Sequence, residues 1–144
     1  MRQTTAWVLV ILWMAFIFYF SHQPGTESSD LSGSVMQWIL AILPFGLEES
    51  EAFHFLVRKG AHVFVYFVLA ILVMNAVRFH TEKMLTRIGI GLLLSLLYAA
   101  SDEYHQTFIE GRAGQVSDVF IDSIGIMLGI SVFVLWHRKR VSNN

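Results

Sequence analysis

The chain of 144 residues contains no cysteine, which excludes a disulfide, a thiolate metal site, a thiol nucleophile and a palmitoyl anchor together. It is poor in charge, with 15% Asp, Glu, Lys and Arg and a formal net charge of -1. A protein that tracks the phosphates of a nucleic acid needs a clear basic excess, so nucleic acid is not an expected partner. Apolar and polar residues do not alternate at period 2, which argues against barrel strands. No internal repeat or low-complexity tract divides the chain, and a single domain over residues 1–144 is expected.

What is present is apolar. Hydrophobic residues make up 55% of the chain and the mean hydropathy is +0.57, too apolar for an ordinary soluble domain. A helix needs about 20 residues to cross the hydrocarbon core of a bilayer. Four runs come close, at about 4–20, 61–77, 84–104 and 116–136, and they predict an all-α integral membrane four-helix bundle. The first run is followed by Ser21, His22, Gln23 and Pro24 instead of a small-x-small cleavage site, so it reads as a retained helix.

Lys and Arg concentrate in cytoplasmic loops. With both termini cytoplasmic, Arg2, the Arg78–Arg87 loop and the Arg138, Lys139, Arg140 tail place seven basic residues and one acid, Glu82, on the inner side. The outer side then holds Arg58, Lys59 and Arg112 against ten acids. An even number of spans and the loop charges thus agree on that orientation. Between the first two spans, Leu31–Leu47 has an apolar core, Val35–Leu43, too short to cross. Ser28, Ser29 and Asp30 offer an N-cap, and Pro44 with Gly46 a stop, for a short interfacial or re-entrant helix, or one packed over the bundle mouth.

Ionisable groups are costly inside a bilayer, about 2.5 to 3.5 kcal/mol each at a helix centre, so their positions carry information. Lys59, His62 and Tyr66 are spaced i, i+3, i+7 on one face of the second span. Tyr98, Asp102, His105 and Gln106 share a face of the third. Asp118 and Asp122 open the fourth and continue into Gly125 and Gly129, a stripe that would let another helix approach closely or dock a second copy. Asp122 then needs a partner such as Lys59, Arg112 or a protonated neighbour. Arg112, between Gly111 and Gly114, could fold over the carboxylates or point at an anionic ligand. All three clusters fall at outer ends of spans. Each residue also has a plain reading: Asp102 and Glu103 mark an interface, Tyr98 an aromatic belt, and Arg58 and Lys59 snorkel to headgroups. His22, His54, His80 and His137 read as isolated loop or interface residues.

The order Ser21, Gln23, Pro24, Gly25, then Arg58-Lys59-x-x-His62-x-x-x-Tyr66, then Tyr98-x-x-x-Asp102-Glu103-x-His105-Gln106-x-Phe108-x-x-Gly111-Arg112, then Asp118-Val119-x-x-Asp122-x-x-Gly125 resembles the VanZ-like family from about Phe20 to Gly129. The resemblance implies a small bacterial cytoplasmic-membrane protein and a link to low-level resistance to the glycopeptide teicoplanin. It supplies no biochemical activity and no cofactor. Ser21, Gln23, Lys59, His62, Tyr66, Asp102, Glu103, His105, Gln106, Arg112, Asp118 and Asp122 occupy the family's polar positions. The chain departs from the pattern at Ala70-Ile71, where a glycine is expected after Tyr66.

Three functions compete on these residues. In the first, an outward pocket binds or modifies a membrane lipid or lipid-linked envelope component, with Lys59 and Arg112 on an anionic group and Ser21, Gln23, Tyr66, Gln106, Asp118 and Asp122 around it. In the second, an intramembrane hydrolase or transferase uses His105 as acid or base, Asp102 or Glu103 orienting it, with His62 beside them. Ser21 is a candidate nucleophile, although neither G-x-S-x-G nor H-E-x-x-H occurs. A variant of these readings gathers His62, His105, Asp102, Asp118 and Asp122 around a divalent metal, though spacing alone does not require one. In the third, the protein is structural and docks a partner or forms a homo-oligomer through the Gly125 and Gly129 face.

Overall fold

The computed structural model describes residues 2–42 and 50–142, and within them all regular structure is helical. Five helices run in order: α1 (Gln3–Ser21), α2 (Gly25–Ile42), α3 (Glu51–Val77), α4 (Met84–Gln106) and α5 (Val116–Ser142). Helices α1, α3, α4 and α5 are long and apolar enough to cross a membrane. Their outward faces carry large apolar side chains, among them Leu12, Phe64, Leu93 and Phe120. Such a surface is untenable in water and suited to lipid.

The inward faces hold the bundle together. In α1, Ala6, Val10, Ile17 and Ser21 fall on one stripe, and in α4 the buried positions Arg87, Gly91, Ser95, Ala99 and Glu103 recur every fourth residue. Small residues along that α4 stripe bring backbones close where no hydrophobic effect separates helix from lipid. The tightest pairing joins α3 and α5: a side chain at Gly125 would run into the Val63 carbonyl, and one at Gly129 into the Phe67 carbonyl. This stripe is taken up within the chain by α3. A second copy docking on it, as the sequence suggested, would have to displace α3. Two side chains tie α1 across the bundle, Trp13 Nε1 donating to Val65 O at 2.9 Å and Tyr98 OH to Met14 O at 2.5 Å.

The elements start and stop for local reasons. Helix α2 begins at Gly25, earlier than a Ser28–Asp30 cap predicts. Ser29, Ser32 and Ser34 lie inside it and donate to the carbonyls of Gly25, Ser28 and Asp30, so they are bound to the preceding turn instead of capping. Its expected stop, Pro44 with Gly46, lies outside the described residues. Helix α3 starts ten residues before the expected span because Ser50 caps it, accepting from Phe53 N at 3.3 Å. Gly25 packs against the loop after α4: its N–H donates to Glu110 O at 3.0 Å, and a side chain there would strike Gly111 O. Gly111 itself holds φ +72, the left-handed region that favours glycine.

Two ends result. At one, Trp7 Nε1 on α1 donates to His80 Nε2 at 2.9 Å, and Arg87 Nε to Thr81 O at 2.7 Å, gathering the N-terminus and the α3–α4 turn. At the other meet the end of α1, the start of α2, the start of α3, the end of α4 and the start of α5. Gly125→Ala and Gly129→Ala are expected to lower stability by about 1 to 3 kcal/mol through overpacking. Gly89→Ala, with open space around the new methyl, is expected to be neutral or slightly stabilising. Thermal unfolding in detergent measures the difference, and equal melting of all three variants would contradict the α3–α5 contact.

Candidate functional site

At this second end the central group is Asp102, 3% exposed. Its Oδ2 accepts from Ser21 Oγ at 2.8 Å, Tyr66 OH at 3.1 Å and Gln106 Nε2 at 3.2 Å. These donors come from α1, α3 and α4, so one carboxylate joins three spans. Hydrogen bonds to a charged group contribute about 1.5 to 3 kcal/mol each, more than neutral ones. Asp102 Oδ1 is buried without a partner among the described residues.

Arg112 closes the cluster from the α4–α5 loop. Its Nε donates to Gln23 O at 3.0 Å, Nη2 to Phe20 O at 2.8 Å and Nη1 to Gln106 Oε1 at 3.3 Å. The two carbonyls lie just at and past the end of α1, where helical partners run out. A guanidinium has five N–H donors, and these three bonds leave one hydrogen on each terminal nitrogen. Burial lowers the proton affinity of Arg112, and the nearby Arg58 guanidinium lowers it further, with Asp102 and Glu103 opposing.

The remaining acids pair across α3, α4 and α5. Lys59 Nζ donates to Asp118 Oδ1 in a partly buried ion pair. His62 Nδ1 lies 3.1 Å from Asp122 Oδ1, and Asp122 is fully buried. Glu103 Oε2 accepts the backbone N–H of Gln115 at 3.1 Å, holding the start of α5. His62, Glu103 and Asp122 each offer one ligand atom within 4.8 Å of the others, a group among the described residues that could hold a metal.

Beside these groups lies a cavity of about 210 Å³. Phe16, Ile17, Phe20, Leu31 and Val65 give it an apolar wall, and Ser21, Gln23, Arg58, His62, Asp102 and Arg112 a polar one. Of the residues singled out in the sequence, Ser21, Gln23, Tyr66, Asp102, Gln106 and Arg112 form one network. His62, Glu103 and Asp122 form a second group next to it. Lys59, expected with Arg112 on an anion, is engaged by Asp118. His105 is not bonded to Asp102 or Glu103. It meets His22, Nε2 to Nδ1 at 3.1 Å, and packs against Phe18. That placement also gives His22 a partner, and His80 gains Trp7.

Sequence reasoning passed over two participants. Arg58, expected to snorkel to headgroups, faces the cavity, and nothing in its spacing distinguishes it from Lys59. Gln115 acts through its backbone, which no side-chain pattern reveals.

A family model described as VanZ/LLP1 matches residues 6–137. No curated protein and no solved structure matches the chain.

Reversing the α3–α5 ion pair tests this arrangement. Lys59→Asp and Asp118→Lys are each expected to cost about 1 to 3 kcal/mol in detergent unfolding, less than a fully buried pair because both side chains retain some exposure. The double reversal is expected to recover most of that loss. If the two losses simply add, the residues do not face each other.

Proposed function

The chain belongs to the VanZ/LLP1 family, and we propose that it binds an anionic amphiphile of the cell envelope in the cavity bounded by α1, α2 and α3. The acidic headgroup sits between Arg58 and Arg112, and the acyl portion runs along Phe16, Ile17, Phe20, Leu31 and Val65. Two guanidinium groups on one cavity carry this reading. Arg58 depresses the proton affinity of Arg112, and among the described residues neither makes an ion pair with a carboxylate. An anion between them relieves that repulsion, and the free hydrogens of Arg112 suit a phosphate or carboxylate. A cavity of about 210 Å³ takes a headgroup and the first part of a chain, not a whole lipid, so the tail extends into the bilayer.

Phospholipids, lipid-linked wall precursors and lipoglycopeptides share this chemistry, and the VanZ-like resemblance brings in glycopeptide resistance as the phenotype. The positive-inside distribution supports an orientation with both termini inside and the cavity on the extracytoplasmic side, and the VanZ-like resemblance supports a bacterial cytoplasmic membrane. An acid/base enzyme built on His105 gains no support from its partner, since His22 and not a carboxylate meets its ring.

Two experiments follow. Short-chain phosphatidylglycerol is expected to bind the detergent-purified chain saturably and at least about tenfold more tightly than phosphatidylcholine with the same chains, a difference of about 1.4 kcal/mol. Arg58→Ala is expected to abolish the preference. Equal affinities, or a preference untouched by Arg58→Ala, contradict the reading. The absence of cysteine allows topology to be read from single introduced thiols. A membrane-impermeant maleimide is expected to label Ser34→Cys in intact cells and Ser142→Cys only after permeabilisation. The reverse pattern would invert the orientation.

A further inference from the structure

The geometry points to a binding site for one divalent transition-metal cation, of the class of Zn²⁺ or Mn²⁺, formed by His62 on α3, Glu103 on α4 and Asp122 on α5. One ligand atom from each lies within 4.8 Å of the others. Around a cation about 2.1 Å from each ligand, tetrahedral donors stand about 3.4 Å apart, so small side-chain movements close the set.

A second observation is independent of that proximity. Glu103 is 4% exposed and Asp122 is 0% exposed, and each has one carboxylate oxygen, Oε1 and Oδ2, buried with no hydrogen-bond partner among the described residues. Native structures pair nearly all such atoms, and those left over call for a specific cause such as an ion.

Charge points the same way. Two carboxylates are buried between apolar helices, and no Lys or Arg forms an ion pair with either among the described residues. Lys59 is held by Asp118, and Arg112 donates to two carbonyls and Gln106. A dication balances two carboxylates in a setting where uncompensated charge is costly. One imidazole with two carboxylates is a borderline donor set, which favours Zn²⁺ or Mn²⁺ over a site built wholly of oxygen.

His62 also lines the cavity, so the cation would sit in its wall and add to the attraction for an anionic headgroup. The metal site does not rest on that ligand.

The full chain, purified in detergent, stripped with chelator and equilibrated with ZnCl₂ or MnCl₂ alone, is expected to retain one ion per chain of at least one metal by elemental mass spectrometry. Its melting temperature is expected to rise with that metal. Glu103→Gln, which keeps the shape and removes the charge, is expected to weaken retention about tenfold or more. Asp30→Asn, on the exposed surface of α2, is expected to leave it unchanged. Failure of the wild-type chain to retain either metal stoichiometrically overturns the proposal, as does retention indifferent to Glu103→Gln. If Glu103→Gln loses its helical circular dichroism, His62→Gln replaces it under the same two outcomes. A chain that retains the metal but shows no preference for phosphatidylglycerol upholds this site and removes only the ligand reading.

Discussion

A carboxylate inside an apolar bundle has to be held by donors from elsewhere in the chain, and Asp102 sets the arrangement of this end of the molecule. Its acceptance of Ser21, Tyr66 and Gln106 joins α1, α3 and α4. Without those donors the charged group would face hydrocarbon or a low-dielectric core, at a cost larger than any single apolar contact here returns. Gln106 then presents its carbonyl to Arg112, and Arg112 fastens the end of α1. The loop after α4, the start of α2 and the cavity bounded by α1, α2 and α3 inherit their positions from this chain of bonds.

The α3–α5 contact extends the same logic. Gly125 and Gly129 let the two backbones touch, and that closeness brings His62 to Asp122 one turn above and Lys59 to Asp118 two turns above. Small residues deep in the span and ionisable ones near its end are therefore two parts of one interface. The result is a polar interior confined to one end, with apolar side chains facing lipid around it.

Much of this was legible in the sequence because helical periodicity says which residues share a face. The inward stripe of α5 and the polar ends of α3 and α4 follow from it, and the four spans follow from the length of the apolar runs. What periodicity omits is which helix meets that face. Asp102 and Glu103 are neighbours in sequence but about 100° apart around α4, so one turns to α1 and α3 and the other to the start of α5. Arg58 and Lys59 divide in the same way, one facing the cavity and the other Asp118. His105 shares a face with Asp102 by spacing, yet the end of α1 brings His22 against it. Helix α2 starts earlier than its serines suggest, because serines that cap helices also bond back within them.

The coupling between Ser21 and Tyr66 in unfolding free energy tests the account most directly. These residues sit on different helices and both donate to Asp102 Oδ2. Comparison of Ser21→Ala, Tyr66→Phe and the double variant in detergent is predicted to give an interaction energy of about 0.5 kcal/mol or more. Losses that add to within about 0.3 kcal/mol would mean the two donors do not meet on one acceptor, and the proposed convergence of the spans would fail with them.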